Sequence, residues 1–259
     1  MLNISSAASV IAAAAGVPVI KHGNRGASSA SGASDVLTAL GVDLTITPGR
    51  VGEVLRETGI TYAHAALFHP GFRHAAATRR ELGISTLFNV LGPLCNPARP
   101  EASAVGVADL SRVPLMVGVF RTRGATALVY RGDDGIDKLT TTGHSHIWEV
   151  SRGAVTEHDL DPLEPRHPAR AGGGPPRRGD RGERRRHPAG AGGEPGPQRD
   201  VVLLNAAAGL EAFDLMGDPT RVQQPMARRL REKLLVAAGA VDSGRAAAKL
   251  EEWAAATRA

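Results

Sequence analysis

The apolar run Val17-Pro18-Val19-Ile20 passes directly into Lys21-His22-Gly23-Asn24-Arg25-Gly26-Ala27-Ser28-Ser29. Lys21 and Arg25 bring fixed positive charge, Gly23 and Gly26 let the backbone approach closely, and Ser28 and Ser29 add hydroxyl and amide donors. That set suits a phosphorylated ligand. Its place after a strand suits one too, because α/β proteins bind ligands at the carboxyl ends of parallel strands. A solvated basic loop capping a sheet would have the same composition. Asn3-Ile4-Ser5-Ser6 opens a helix whose free amides attract anions, although capping alone explains these residue types. Asp133, Asp134 and Asp137 place three carboxylates within five residues at a strand end. Mg²⁺ takes one or two carboxylates with phosphate oxygens and waters, while acidic turns are also common. His69 and Arg79 stand ten residues apart, about 80° around a helix axis, so both can border one site. An arginine there can clamp a carboxylate with two parallel bonds, or simply face solvent. Cys95 has no neighbour that would activate a thiolate. His144 and His146 alternate along an extended stretch and read as a solvated strand face.

The elements that must position these residues alternate in type. Helices are predicted over 3–15, 34–40, 47–59, 70–82 and 110–121. Strands are predicted over 17–20, 60–67, 104–108 and 127–130, with extended stretches near 138–142 and 146–150. Three helices close the chain, over 201–215, 223–238 and 244–256. Strands alternating with helices predict an α/β fold with a largely parallel sheet flanked by helices.

Composition sets the outer limits. The chain has 259 residues, 42% of them hydrophobic and 22% charged, which excludes general disorder. A single cysteine excludes a disulfide framework and a thiolate metal site. No apolar run is long enough to span a bilayer, and no basic region precedes the first apolar stretch, so no membrane is expected and a cytoplasmic location is. The net charge of +5 is local. Residues 166–199 hold nine Arg and three acids, a net of +6, which leaves −1 for the rest. The same 34 residues hold nine Gly and six Pro, and no Val, Ile, Leu, Met, Phe, Trp or Tyr. Such a stretch cannot bury enough apolar surface to order itself. It reads as a disordered linker, as a basic arm, or as GC-rich DNA translated out of frame. With no aromatic residue to stack on bases, nucleic acid is not the expected partner.

Several motifs together resemble the anthranilate phosphoribosyltransferases. They are K-H-G-N-R at 21–25, A-S-S at 27–29, S-G-A-S-D-V-L at 31–37, F-H-P at 68–70, F-N-V-L-G-P-L-C-N-P at 88–97, G-D-D-G-I-D at 132–137 and V-L-L-N-A-A-A at 202–208. The resemblance covers about 1–165 and 193–259. It implies one α/β phosphoribosyltransferase-like domain over 1–259, interrupted by 166–199. It also implies transfer of a phosphoribosyl group from phosphoribosyl pyrophosphate to the amine of anthranilate, with Mg²⁺ and release of pyrophosphate.

By the same resemblance, phosphoribosyl pyrophosphate meets Asn3, Ile4, Ser5, Ser6, Lys21, His22, Gly23, Asn24, Arg25, Gly26, Ala27, Ser28, Ser29 and Ala33. Anthranilate meets Asn24, His69 and Arg79, and Mg²⁺ meets Ser5 and Asp137. No residue is assigned as an acid, base or nucleophile. The resemblance also marks departures. The family's glycine-rich G-T-G-G-D loop and N-terminal helical region precede its N-I-S-T motif, whereas here Met1 and Leu2 directly precede Asn3. The family dimerises through that region, so no homodimer is expected of these 259 residues. Lys138 stands where the family has a second metal-binding carboxylate, Glu. The family has an ordinary G-G-D-x-x-x-N-A helical stretch where 166–199 sits, so residues 166–192 read as out-of-frame sequence. Pyrimidine nucleoside phosphorylases share the fold and a similar basic loop, which gives a second reading; an inactive remnant without catalysis is a third.

Overall fold

A computed structural model describes residues 3–23, 33–72, 74–75, 81, 88–166 and 195–259. Local rules set the first elements. Helix α1 (Ile4–Ala14) opens where the Asn3 side chain accepts from the Ser6 amide at 2.9 Å. Strand β1 (Val19–Gly23) follows, then α2 (Ala33–Ala39). Helix α3 (Pro48–Thr58) has Thr47 as its cap, Pro48 in its first turn and Gly59 at φ 72° beyond its end. Strand β2 (Ile60–His64) leads into the short α4 (Ala65–Phe68), and α5 spans Phe88–Leu94. A second run is β3 (Ala102–Gly106), α6 (Val113–Thr122), β4 (Thr126–Gly132), β5 (Ser145–Ser151) and β6 (Ala154–Leu160). The chain closes with α7 (Pro197–Gly217), α8 (Met226–Asp242) and α9 (Arg245–Ala256).

Two sheets result. One pairs β1 with β2 in parallel, Val19 opposite Ile60. The other has the order β3-β4-β5-β6, parallel at its first ladder and antiparallel at the next two. The α/β arrangement with helices on the sheet faces therefore holds, and among the described residues the parallel character is confined to β1–β2 and β3–β4. The antiparallel part begins where the 133–144 loop returns the chain from β4 to β5, and it continues because β5 and β6 join through Arg152-Gly153, both at positive φ, the two-residue turn that folds a strand back on itself. Among the described residues the extended stretch expected near 138–142 joins no sheet, and β6 is a strand that the sequence does not announce.

Alternation along β4 explains the layers. Leu128 and Tyr130 face a core with Leu204, Ala208 and Leu215 of α7 and Leu230 of α8. Ala127 and Val129 face the opposite way, onto Val113, Met116 and Phe120 beside α6. Ile60 and Tyr62 of β2 pack with Val54 of α3 and Trp253 of α9. Ala8, Ile11 and Ala12 of α1 meet Leu203, Ala206 and Leu210 of α7. Small residues on both helices allow that close approach.

One buried polar network sits under β5. Arg229, wholly buried, bridges Glu149 (2.7 Å) and Glu211 (3.0 Å), both buried as well. His158 reaches Glu149 at 2.6 Å and Arg221 holds Glu211 at 2.7 Å. Burial pushes the Glu149 carboxyl up, but hydrogen bonds from His158 and Arg229 and the charge of Arg229 outweigh it and hold it at about 2.

Candidate active site

A cavity of about 520 Å³ opens between β1 and β3, over α1 and α7. Its mouth gathers Ser5, Lys21, His22, Asp137 and Lys138. Each arrives there for a local reason. Ser5 lies in the first turn of α1, where its hydroxyl donates to Asn3 Oδ1 at 3.1 Å. The Lys21 ammonium donates to Ser5 Oγ at 3.4 Å. Lys21, His22 and Gly23 belong to β1 and not to the loop after it, because pairing with β2 runs on to Gly23 opposite His64. Burial, and then the charge of Lys138, lowers the Lys21 ammonium from 10.5 to about 8. The protein thus holds an ammonium that lacks its full hydration, which is what an anionic ligand would satisfy.

The three carboxylates of the 133–137 turn divide by role. Asp134 accepts from Thr140 Oγ1 (2.7 Å), Thr142 Oγ1 (3.1 Å) and the Ile136 amide (3.3 Å), so it builds the turn. Asp133 lies 3.5 Å from His146 Nε2. Asp137 alone of the three lines the cavity, with Lys138 Nζ 2.6 Å from its Oδ1. Asn205 fixes this loop. Its side chain accepts from the Leu139 amide at 3.1 Å and donates to the Leu139 carbonyl at 2.9 Å and the Val201 carbonyl at 2.8 Å. Gly106 completes the support, since a Cβ there would fall 1.7 Å from the Asp137 carbonyl oxygen.

The imidazoles of His22 and His69 face the α5 segment. His22 Nδ1 meets the Gly92 carbonyl at 2.6 Å, and His69 Nε2 meets the Cys95 carbonyl at 2.7 Å. Since a carbonyl only accepts, each ring nitrogen donates. His22 thereby keeps Nε2 as a buried acceptor with no partner among the described residues. Burial lowers the His22 pKa, which the Gly92 bond opposes and the neighbouring His69 and His64 reinforce. The two rings meet edge to face at 5.0 Å, and His69 stacks on Phe72 at 5.0 Å. Asn96 donates from its side chain to the Ile20 carbonyl at 3.1 Å. These three contacts pin the 88–97 segment to β1 and the 65–72 turn.

The remaining expected site residues fall in different places. Asn3 caps α1, while Ile4 and Ser6 turn away from the cavity mouth, Ser6 being buried. Gly23 lies over Tyr62, whose hydroxyl would stand 2.6 Å from any Cβ added there. Ala33 begins α2 and does not line the cavity. His69 packs edge to face against His22 and does not line the cavity. Asn24, Arg25, Gly26, Ala27, Ser28, Ser29 and Arg79 lie outside the described residues, as does most of 166–199. No group of three or more His, Cys, Asp or Glu among the described residues forms a ready-made metal cage. No described helix is long and apolar enough to cross a membrane. Asn205 and Asn96 are the positioning residues that sequence reading missed. The available signal was a lone amide inside the apolar helical run Val-Leu-Leu-Asn-Ala-Ala-Ala.

Comparison with known proteins adds the context. A model of the glycosyl transferase family, a/b domain, matches residues 1–247. An anthranilate phosphoribosyltransferase of Clavibacter michiganensis subsp. michiganensis is 88% identical over all of this chain and 74% of its own length. One from Leifsonia xyli subsp. xyli is 62% identical over 99% of this chain and 74% of its own. The crystal structure of anthranilate phosphoribosyltransferase from Thermus thermophilus superposes with a TM-score of 0.80 at 36% identity, covering all of this chain and 74% of that one.

Proposed function

From a chain that belongs to the glycosyl transferase family, and within it to the anthranilate phosphoribosyltransferases, we infer the activity of that group: transfer of a phosphoribosyl group from phosphoribosyl pyrophosphate to anthranilate. The observation that carries it is the half-buried Lys21 ammonium beside Ser5, Asp137 and Lys138 at one cavity mouth, in a chain 88% identical to such an enzyme. The amine nitrogen bonds to the anomeric carbon of the ribose and releases one of its protons to solvent. The bond from that carbon to the pyrophosphate oxygen breaks, and its electron pair leaves with pyrophosphate. Lys21 donates to the oxygens where that charge collects, and a site already dry and cationic strengthens the contact. Positioning and electrostatics carry the reaction, and no side chain need form a covalent intermediate.

Asp137 and Ser5 fit Mg²⁺ as a partial donor set, one carboxylate and one hydroxyl facing the space where phosphate oxygens would complete the shell. Mg²⁺ when bound supplies charge neutralisation for the departing pyrophosphate. Lys138, in place of a second carboxylate, holds Asp137 and adds its own positive charge to the mouth. Of the other expected contacts, His22 lines the same cavity and Asn3 holds the Ser5 hydroxyl at its edge, whereas Ile4, Ser6, Gly23, Ala33 and His69 do not line it. Asn24 through Ser29 and Arg79, the remaining residues expected to meet phosphoribosyl pyrophosphate and anthranilate, lie outside the described residues. Cytoplasmic location accords with this chemistry. The test is loss of anthranilate fluorescence with phosphoribosyl pyrophosphate and Mg²⁺ present. Consumption that disappears in Asp137→Asn supports the reading. Phosphorolysis of thymidine or uridine instead would make the chain a nucleoside phosphorylase, and turnover of neither would make it a remnant.

A further inference from the structure

The carboxylate that faces the cavity is already occupied by a cation of the chain itself. Lys138 Nζ lies 2.6 Å from Asp137 Oδ1 and donates to the Asp137 carbonyl at 2.8 Å, so the ammonium is held twice by the residue before it. The Asp137 side chain is 57% exposed and that of Lys138 19%, which leaves the carboxylate an open side. The other acids of the turn do not draw Lys138 away. Asp134 is engaged by Thr140 and Thr142, and Asp133 faces His146. Among the described residues Asp137 is the one acidic group on the cavity lining, where Lys21 and Lys138 are both present. The Lys21 contact among those residues is the Ser5 hydroxyl at 3.4 Å, and Lys138 is close enough for its charge to disfavour that of Lys21.

The main chain here is fixed, but the ammonium is not. The Leu139 amide and carbonyl are bound by Asn205 at 3.1 and 2.9 Å, which anchors the backbone next to Lys138. The charge itself ends a flexible four-carbon stem, with three donors that can turn to a new acceptor. Partly exposed ion pairs of this kind hold weakly. A divalent cation and this ammonium cannot share Asp137. Mg²⁺ needs the carboxylate oxygen free, and it repels a positive charge beside it.

We propose that Lys138 makes a divalent cation and a diphosphate bind as a pair. In the free chain its ammonium covers Asp137 and keeps the metal off. When a diphosphate enters the mouth, the ammonium turns to a phosphate oxygen beside Lys21, and Asp137 is released to Mg²⁺. Either ligand alone leaves a charge unbalanced. Metal without diphosphate sets a displaced ammonium against a dication, and diphosphate without metal leaves a bare carboxylate facing an anion. Each ligand therefore raises the affinity of the other by the same factor. The inference rests on the transferase reading in taking a diphosphate as the group that enters.

The test uses the full chain with Mg²⁺ and inorganic pyrophosphate, without anthranilate. Calorimetry first titrates Mg²⁺ alone. Lys138→Gln keeps a polar side chain but not the charge, and should bind the metal about tenfold more tightly than the wild type, within the usual range of coupling between sites. Pyrophosphate is then titrated with and without excess Mg²⁺. The gain in affinity that the metal brings should be about tenfold larger in the wild type than in Lys138→Gln, a comparison in which the complex of Mg²⁺ with pyrophosphate in solution cancels. Lys138→Arg keeps the charge and should follow the wild type in both titrations. Equal Mg²⁺ affinity in the wild type and Lys138→Gln, an equal gain in the two, or Lys138→Arg behaving like Lys138→Gln overturns the role of Lys138 and leaves the transferase reading standing. No pyrophosphate binding by any of the three chains, with or without Mg²⁺, overturns both.

Discussion

Lys21 makes ligand affinity a function of pH. Its ammonium titrates at about 8, below its ordinary 10.5, because burial and Lys138 disfavour the charge. Phosphoribosyl pyrophosphate needs the charged form, so above that midpoint binding must take up a proton. With a midpoint of about 8, the charged fraction falls from roughly nine tenths at pH 7 to roughly a thirtieth at pH 9.5, and affinity drops about 30-fold, or about 2 kcal/mol. Folding responds with the opposite sign. The unfolded chain holds this proton more tightly between 8 and 10.5, so Lys21 makes the fold more stable as pH rises through that window. Loss of affinity there is consequently not loss of structure. Calorimetric titration with phosphoribosyl pyrophosphate from pH 7 to 9.5 measures it. Lys21→Arg, whose charge does not titrate, should flatten the profile, and Lys138→Met should move the midpoint upward. A flat wild-type profile, or the same midpoint in Lys21→Arg, would refute the assignment of Lys21 as the anion-binding ammonium.

Three further outcomes follow from the geometry. Asn205→Ala frees the loop that carries Asp137; turnover should fall at least tenfold while the loss in urea stability stays within about 1–3 kcal/mol. Gly106→Ala forces the Asp137 backbone to move, so the Mg²⁺ concentration for half-maximal turnover should rise severalfold with the melting temperature lowered by only a few degrees. Arg229→Met leaves Glu149 and Glu211 buried without their shared partner and should cost about 3–5 kcal/mol in denaturant unfolding. In the wild type, Glu149 at about 2 stabilises the fold above its ordinary 4.5. That contribution should fade as pH falls from 4.5 toward 2 and be reduced in the Arg229→Met pH profile, where His158 alone still holds Glu149.

Much of the frame was legible because its signals are local. Asn3, Thr47 with Pro48, and Gly59 mark helix ends by chemistry that acts within four residues, and the helices they bound stand where periodicity puts them. The polar strand β6 was not legible. Ala154-Val155-Thr156-Glu157-His158-Asp159-Leu160 is exposed along most of its length, so no hydrophobic alternation announces it; the positive-φ turn at 152–153 and pairing with β5 create it. Lys21-His22-Gly23 reads as loop by composition but is strand by pairing, because β2 offers Tyr62, Ala63 and His64 as partners. The extended stretch expected near 138–142 joins no sheet for a matching reason. Asn205 and Ser145 take up the amides of Leu139 and Thr140, the donors a ladder would need.

The site divides along the same line. Residue types at a strand end pointed to Lys21 and Asp137, although a solvated basic loop or an acidic turn has the same composition. Nothing local could separate Asp137 from Asp134, three residues earlier. The difference is made by Thr140 and Thr142, which draw Asp134 into the turn, and by a helix amide 66 residues beyond Leu139 that holds the loop so that Asp137 faces the cavity. The chemistry of this site is therefore written in short motifs, while its geometry depends on α7. Weakening Asn205 should harm turnover more than it harms folding, even though Asn205 is not among the groups assigned to either substrate.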